Sequence, residues 1–249
     1  MPIPNLSGGQ RRLDGALAHY LVRVLRLRAG DAFVAFDPAN SREADATTVW
    51  AEDDGITVEF RTPREAPART SRSLTWIQGL AKAAKCDAVV RDATELGATR
   101  IVVVQTKRSV VKLERERSET RRARWARIAE QAARQSGRSD VPLVDAPCPW
   151  LDALARVDSA DARFCLWEGA IEPLAPPLFD ALARGGSLAF ACGAEGGLDD
   201  SEVSQARARG WILVTLGRRM LRTETVAAAA LGAVQVWTGL FECSNKKPG

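Results

Sequence analysis

Six short apolar runs set the strongest limit on how this chain can fold: SLTWIQGL (73–80), RIVVVQT (100–106), PLVDA (142–146), RFCLWEG (163–169), SLAFACG (187–193) and WILVTLG (211–217). Each run is continuously apolar instead of alternating, so both faces of its strand must be covered, and stretches with helical periodicity separate most of them. Doubly buried strands alternating with helices predict a mainly parallel sheet between helical layers, which makes residues 71–249 an α/β domain. Residues 1–70 follow a different rule. There AGDAFVAFDPAN and DATTVWAEDDGITVEFRTP alternate as half-buried strands do and predict a small β-barrel or sandwich. PREAPARTSRS (63–73), proline-bearing and without periodicity, reads as the linker, and the terminal SNKKPG as a disordered tail.

The chain has 249 residues, 46% of them hydrophobic, enough to bury a substantial core. No run has the length of a membrane span, and MPIPNLSGGQ lacks the features of a signal peptide, so cytoplasmic residence is expected. The single histidine, His19, and five cysteines without a C-x-x-C pair argue against metal sites, disulfide frameworks and histidine-based hydrolysis. Any chemistry then rests on Arg, Glu, Asp, Ser or Thr, or on a cofactor. Charge is concentrated: Arg100 to Arg138 holds 12 Lys plus Arg against 4 Glu, a balance of +8. Such a block suits a polyanion, or it is the solvated face of a helix; charge alone leaves both readings open.

Four stretches carry the chemistry. AFACGAEGGLDDSEV puts a glycine loop after a strand and before a helix capped by Asp199 or Asp200, where open α/β sheets bind ligands. SETRRARWARIAEQAARQSGR is a helix with a core stripe of Trp125, Ile128, Ala129 and Ala132, arginines elsewhere, and a Glu130–Arg134 pair at i,i+4. In TELGATRIVVVQTKRSVVK, Gly97 ends a helix whose last acid, Glu95, is expected to find Arg91. Finally, LGRRMLRTETVAAAALGAVQVW crowds Arg218, Arg219, Arg222 and Glu224 ahead of a helix with no ionisable residue from Thr225 to Phe241. That helix is apolar nearly all round and should be buried, with Thr223 as its N-cap. Charges at the mouth of a buried helix point to a ligand site more than to a structural salt bridge.

Together with HYLVRVLRLRAGD (19–31), these stretches resemble, in order and spacing, the RsmE-type ribosomal RNA methyltransferases of the SPOUT (trefoil-knot) superfamily. The sequence departs from that pattern in three places. Gly193-Ala194-Glu195-Gly196-Gly197 replaces G-P-E-G-G, IPNL replaces an Arg-Phe near the start, and Asp37-Pro38-Ala39-Asn40 replaces a glycine turn. The resemblance implies a PUA-like β-barrel for residues 1–70 that binds RNA, a knotted SPOUT methyltransferase domain for 71–249, and a homodimer acting on 16S rRNA, alone or within the small ribosomal subunit. It implies S-adenosyl-L-methionine held by Leu166, Trp167, Glu168 and Gly169, by Gly193, Glu195, Gly196 and Gly197, and by Leu216, Gly217, Met220 and Leu221. Methylation of uracil N3 needs neither metal nor histidine. It needs a cation for the uracilate oxygens, assigned to Arg222, and a carboxylate to orient or accept the proton, assigned to Glu224. RNA contacts are assigned to Arg26, Arg108, Arg121, Arg124, Arg127 and Arg138. A ribose 2′-O-methyltransferase, a Rossmann-type nucleotide enzyme and a non-enzymatic RNA-binding protein are the rival readings; SLTWIQGLAKAAK lacks the early glycine fingerprint of the second.

Overall fold

The structure, a computed structural model, describes all residues except 2, 38–39, 41, 53–54, 66–71, 111–114, 139 and 246–249, and the side chains of 115–117 and 240–245 are likewise outside it. Most of the expected linker, part of the Asp37–Asn40 turn, the end of KRSVVK, the Cys243 thiol and the last four residues therefore lie outside the described residues. The chain divides into two compact units, Met1–Arg69 with Ser136–Val141, and Thr70–Gln135 with Pro142–Gly249.

The first unit is an antiparallel sheet of β1 (Gly9–Leu13), β2 (Ala32–Asp37), β3 (Arg42–Glu52), β4 (Gly55–Phe60) and β5 (Arg64–Glu65) in the order β1-β4-β3-β2, with β5 on β3. Residues ahead of β1 hydrogen-bond to the β2 edge, Ile3 N to Phe36 O at 2.8 Å and Phe36 N to Met1 O at 2.6 Å. The N-terminal stretch thus covers the β2 edge of the sheet. Ile3, Leu21, Ile56 and Val58 form the core. α1 (Gly15–His19) runs into a π-helical turn at Tyr20–Val24. Two elements depart from the expected pattern. β1 has only Leu13 buried and no apolar alternation, so its pairing with β4, not its own residues, makes it a strand. β5 takes Arg64 and Glu65 out of the expected linker, because Arg64 pairs with Glu43 and Asp45 at 2.9 Å each.

The second unit holds β6 (Leu74–Gly79), β7 (Arg100–Gln105), β8 (Leu143–Val144), β9 (Cys148–Pro149), β10 (Ala162–Leu166), β11 (Leu188–Cys192) and β12 (Ile212–Val214). Their order is β12-β10-β11-β6-β7-β8 with β9 on β7, and every pairing is parallel. Register explains why the strands are apolar throughout. Phe164, Phe190, Trp76 and Ile101 lie in one row across β10, β11, β6 and β7; the next row is Cys165, Ala191, Ile77 and Val102. Successive side chains point to opposite faces, so the first row stacks its aromatic rings on one side. Small residues in the second row leave room on the other for Trp150 and Trp211.

Among the described residues the unit also holds the helices α2 (Ala83–Glu95), α3 (Arg115–Gln135), α4 (Trp150–Ala155), α5 (Ala175–Arg184), α6 (Asp200–Ala208) and α7 (Thr223–Asn245). α2 ends as expected, with Gly97 in the left-handed region at φ 92° and the Ala98 amide bonded back to Ala93 O. Its last acid does not take Arg91, which pairs with Asp92 instead. α7 departs from the expectation of all-round burial. Ala227, Ala230, Leu231 and Val234 are buried, while Ala229 is exposed and Val236 is 67% exposed, because α2 and α5 pack against one side of it only.

Candidate active site

β12, β10 and β11 are neighbours and parallel, so the loops at their carboxyl ends open together on one edge of the sheet. These loops contain Leu166–Gly169, Gly193–Gly197 and Leu216–Leu221. The backbone ties them: Trp167 N donates to Val214 O at 3.0 Å and Thr215 N to Glu172 O at 2.8 Å. Close approach accounts for the glycines. A side chain at Gly193 would stand 2.4 Å from the Gly197 carbonyl carbon, and one at Gly197 would meet the Glu168 carboxylate at 2.5 Å. Gly217 has φ 118°, a conformation that only glycine takes without strain.

Charged groups frame these loops. Arg108, on the loop after β7, reaches Gly196 O at 3.4 Å and Glu168 at 4.0 Å. Glu195, expected to contact a cofactor, turns toward the start of α2: it accepts from Lys82 N at 3.2 Å and faces Lys85 at 3.5 Å. Burial would raise its carboxyl pKa, but the backbone hydrogen bonds and Lys85 outweigh that effect and hold it below the ordinary value. The positive end of a helix favours a carboxylate there.

The α6 start is fastened by a capping box: Asp199 accepts from Ser201 N, and Glu202 accepts from Asp199 N. Lys107 adds a contact to Asp199 at 3.3 Å. Hydrogen bonds from Ser201 and then Lys107 lower the Asp199 pKa from 3.8 to about 2. A depressed carboxyl stabilises the fold above its unfolded pKa and loses that contribution as pH falls through the folded one. Asp199→Ala is therefore expected to melt below wild type at pH 7. In melting curves taken at decreasing pH, the gap should close between about pH 4 and about pH 2; a gap independent of pH would show that the carboxylate is not the stabilising group. The thiols play no comparable part. Burial pushes Cys86 up to about 11 and Cys192 up to about 12, and raises Cys148 and Cys165, so these four are protonated at neutral pH.

At the mouth of α7 the helix begins differently from the expected cap. Arg222 O accepts the first helical hydrogen bond, from Val226 N at 3.0 Å. The Thr223 hydroxyl, buried, turns inward and donates to Gly193 O at 2.9 Å instead of capping. It is the buried, fully bonded Gln78 that holds it, at 2.8 Å; one glutamine in an apolar strand gave no sign of this in the sequence. Arg218, Arg219 and Arg222 are exposed and form no ion pair among the described residues. The Glu224 Oε2 atom is buried and has no hydrogen-bond partner among the described residues. An unpaired buried carboxylate oxygen is costly to hold. Met220 and Leu221, expected at the cofactor, expose their side chains, Met220 by 85%.

A family profile described as RNA methyltransferase domain matches residues 68–235, and one described as RNA methyltransferase PUA domain matches 13–59. Ribosomal RNA small subunit methyltransferase E of Bacillus subtilis is 31% identical over 92% of this chain and 91% of its own length. The Mycobacterium bovis protein of the same name is 32% identical over 96% and 90%. The chain belongs to this RNA methyltransferase family. A crystal structure of ribosomal RNA small subunit methyltransferase E from Neisseria gonorrhoeae bound to S-adenosyl methionine superposes with a TM-score of 0.81 at 28% identity, covering 95% of each chain. The methyltransferase therefore has the SPOUT α/β fold and the N-terminal PUA-like β region that its sequence resembles.

Of the arginines assigned to RNA in this methyltransferase, the structure presents some and withdraws others. Arg26 is exposed in the left-handed region at φ 56°, and Arg127 is exposed on α3 with no acidic partner among the described residues. Arg124 is exposed but forks onto Asp87 of α2, with its Nε at 3.2 Å. Arg121 is half-buried, its Nη1 atom without a partner among the described residues. Arg138 is buried and pairs with Asp140. Gly137, at φ 68°, ends the helical course before Arg138, so helical spacing does not carry this residue onto the basic face. Among the described residues no cluster of acids, histidines or cysteines could hold a metal ion, and no helix is long and apolar enough to cross a membrane.

Proposed function

We propose that this enzyme transfers the methyl group of S-adenosylmethionine to N3 of a uracil in 16S rRNA, free or within the small subunit, as a cytoplasmic homodimer. The observation that carries this reading is the pairing, at one helix mouth, of an unengaged Arg222 with a Glu224 oxygen that lacks a donor, next to the glycine loop. The loops suit the cofactor: glycines at 193, 196 and 197 let the loops pack tightly against one another, Trp167 and Leu216 are partly exposed apolar groups, and Glu168 offers negative charge near a sulfonium. When bound, S-adenosylmethionine supplies a methyl group activated by positively charged sulfur. Arg222 offers a planar fork of donors to uracil oxygens that gain charge as the N3 proton leaves. Glu224, with an oxygen not committed to any hydrogen bond, can accept or orient that proton. The direct test is to incubate the enzyme with cofactor and 16S rRNA and to map the product by mass spectrometry. Methyl on a uracil N3 is expected; methyl on ribose, or none, would overturn the reading.

The homodimer reading rests on α7. Its uncovered side carries Thr225, Ala229 and Val236, an apolar strip of small residues that suits close helix approach. Ala229→Arg is expected to sediment as a folded monomer where wild type sediments as a dimer. Ala230, buried within the protomer, cannot serve this test. A wild type that is monomeric at micromolar concentration would end the dimer reading.

For RNA affinity, Arg127→Ala should weaken binding and lower the slope of log K against log salt by about one, the loss of one phosphate contact. Cofactor affinity should not change. Arg138→Ala should leave the slope alone and lower Tm, since its guanidinium is paired with Asp140. Equal slopes in wild type and Arg127→Ala would make α3 an ordinary solvated helix.

A further inference from the structure

Gln78 and Thr223 join three segments distant in sequence. Gln78 is fully buried on β6, Gly193 opens the glycine loop, and Thr223 is the first residue of α7. The Trp76 indole donates to Gln78 Oε1 at 3.1 Å, and the Cys192 thiol donates to the same oxygen at 3.3 Å. Gln78 Nε2 donates to Thr223 Oγ1 at 2.8 Å, and to Gly193 O and Gly79 O at 3.1 Å each. Thr223 Oγ1 in turn donates to Gly193 O at 2.9 Å.

The chemistry gives this chain one direction. An indole N–H can only donate, so the Gln78 carbonyl must face Trp76 and its amide nitrogen must face Thr223. The amide nitrogen can only donate, so the Thr223 hydroxyl must accept from it, and its single proton is left for Gly193 O. The backbone allows no slack at this point: a side chain at Gly79 would stand 2.3 Å from Ala194 N and 2.5 Å from the Gly193 carbonyl carbon. Replacing Gln78 takes the acceptor from the buried Trp76 indole N–H, and replacing Thr223 removes the shortest hydrogen bond of the Gln78 amide, which opposes a slipped arrangement.

We infer that Gln78 and Thr223 are positioning residues, whose one-way hydrogen-bond chain from Trp76 to Gly193 holds the glycine loop and Glu224 in a fixed register. Glu224 directly follows Thr223, so a shift of the loop relative to α7 separates the loop from the carboxylate. In the proposed methyl transfer the loop serves the cofactor and Glu224 the acceptor base, and the kinetic arm of the test rests on that reading. The register itself does not depend on it.

Hydrogen exchange on the ligand-free protein tests the register, and single-turnover methyl transfer to 16S rRNA tests its consequence. Thr223→Val keeps the shape of the side chain and removes the hydroxyl. It is expected to speed exchange about tenfold or more both in Gly193–Gly197 and in the first turn of α7, leaving the β7 amides of Val102–Val104 unchanged. The transfer rate should fall about tenfold or more while cofactor Kd moves less than about threefold, because misplacement acts on the reacting geometry. Thr223→Ser, which keeps the hydroxyl, should behave as wild type in both. Acceleration in only one of the two segments, equal acceleration in β7, or failure of Thr223→Ser to restore wild-type exchange would overturn the inference. Should Thr223→Val not fold, Gln78→Met, of similar length and without a donor, is read by the same criteria. A wild type that transfers no methyl defeats the functional reading instead, and the exchange pattern still decides the register.

Discussion

Arg222→Lys is expected to lower the single-turnover rate of methyl transfer by about 10²- to 10³-fold, the scale on which losing one preorganised donor to a developing oxyanion is felt. Lysine retains the charge but not the planar fork, so RNA and cofactor affinities should stay near wild type. The structure makes this a clean substitution. The Arg222 side chain is exposed and unpaired among the described residues, and its contribution to the start of α7 comes from its backbone carbonyl, which lysine supplies equally. A stability role would appear as a lower Tm together with weaker cofactor binding. Unchanged turnover would remove Arg222 from the chemical step and leave the three arginines of this loop as contacts for phosphate alone.

Glu224→Gln should cost about 10²- to 10⁴-fold in transfer rate at neutral pH if the carboxylate takes the N3 proton. The amide is nearly the same size, and the carboxylate oxygen it replaces has no internal donor to lose. The fold should survive for that reason, and Tm should change little. The sign of the pH effect discriminates further. Raising the pH deprotonates uracil without help from the enzyme, so the variant should recover part of its rate in alkaline buffer while wild type gains less. A variant equally impaired at every pH would make Glu224 an orienting group. A variant with wild-type rate at neutral pH would exclude it from proton transfer.

How much of this site could be read from sequence follows from the range of the forces involved. The doubly covered strands, the left-handed Gly97 that ends α2, the Asp199 cap of α6, the Glu130–Arg134 pair and the glycine loop after β11 are all local: periodicity and capping chemistry act within a few residues, and the structure contains each. Arg222 and Glu224 stood out because charge at the mouth of an apolar helix is expensive wherever that helix packs. Partner choice was not legible in the same way. Local spacing offered Arg91 to Glu95, the Thr223 hydroxyl to its own helix, and Arg138 to RNA; packing gave these groups other partners or surroundings.

The sequence by itself determined most of the strands and helices of the second unit, which loops carry glycine and charge, and that a unit of half-buried strands precedes a doubly covered, mainly parallel sheet, because burial pattern is written residue by residue. Only the tertiary structure decided the order β12-β10-β11-β6-β7-β8. That order puts Gln78 within 3.1 Å of a carbonyl 115 residues away and brings three loops to one edge. It also leaves one side of α7 uncovered and turns Glu195 toward α2. Strands with the same apolar pattern can pair in many orders, and the one realised depends on how all their side chains pack at once, a property that no single stretch of chain contains.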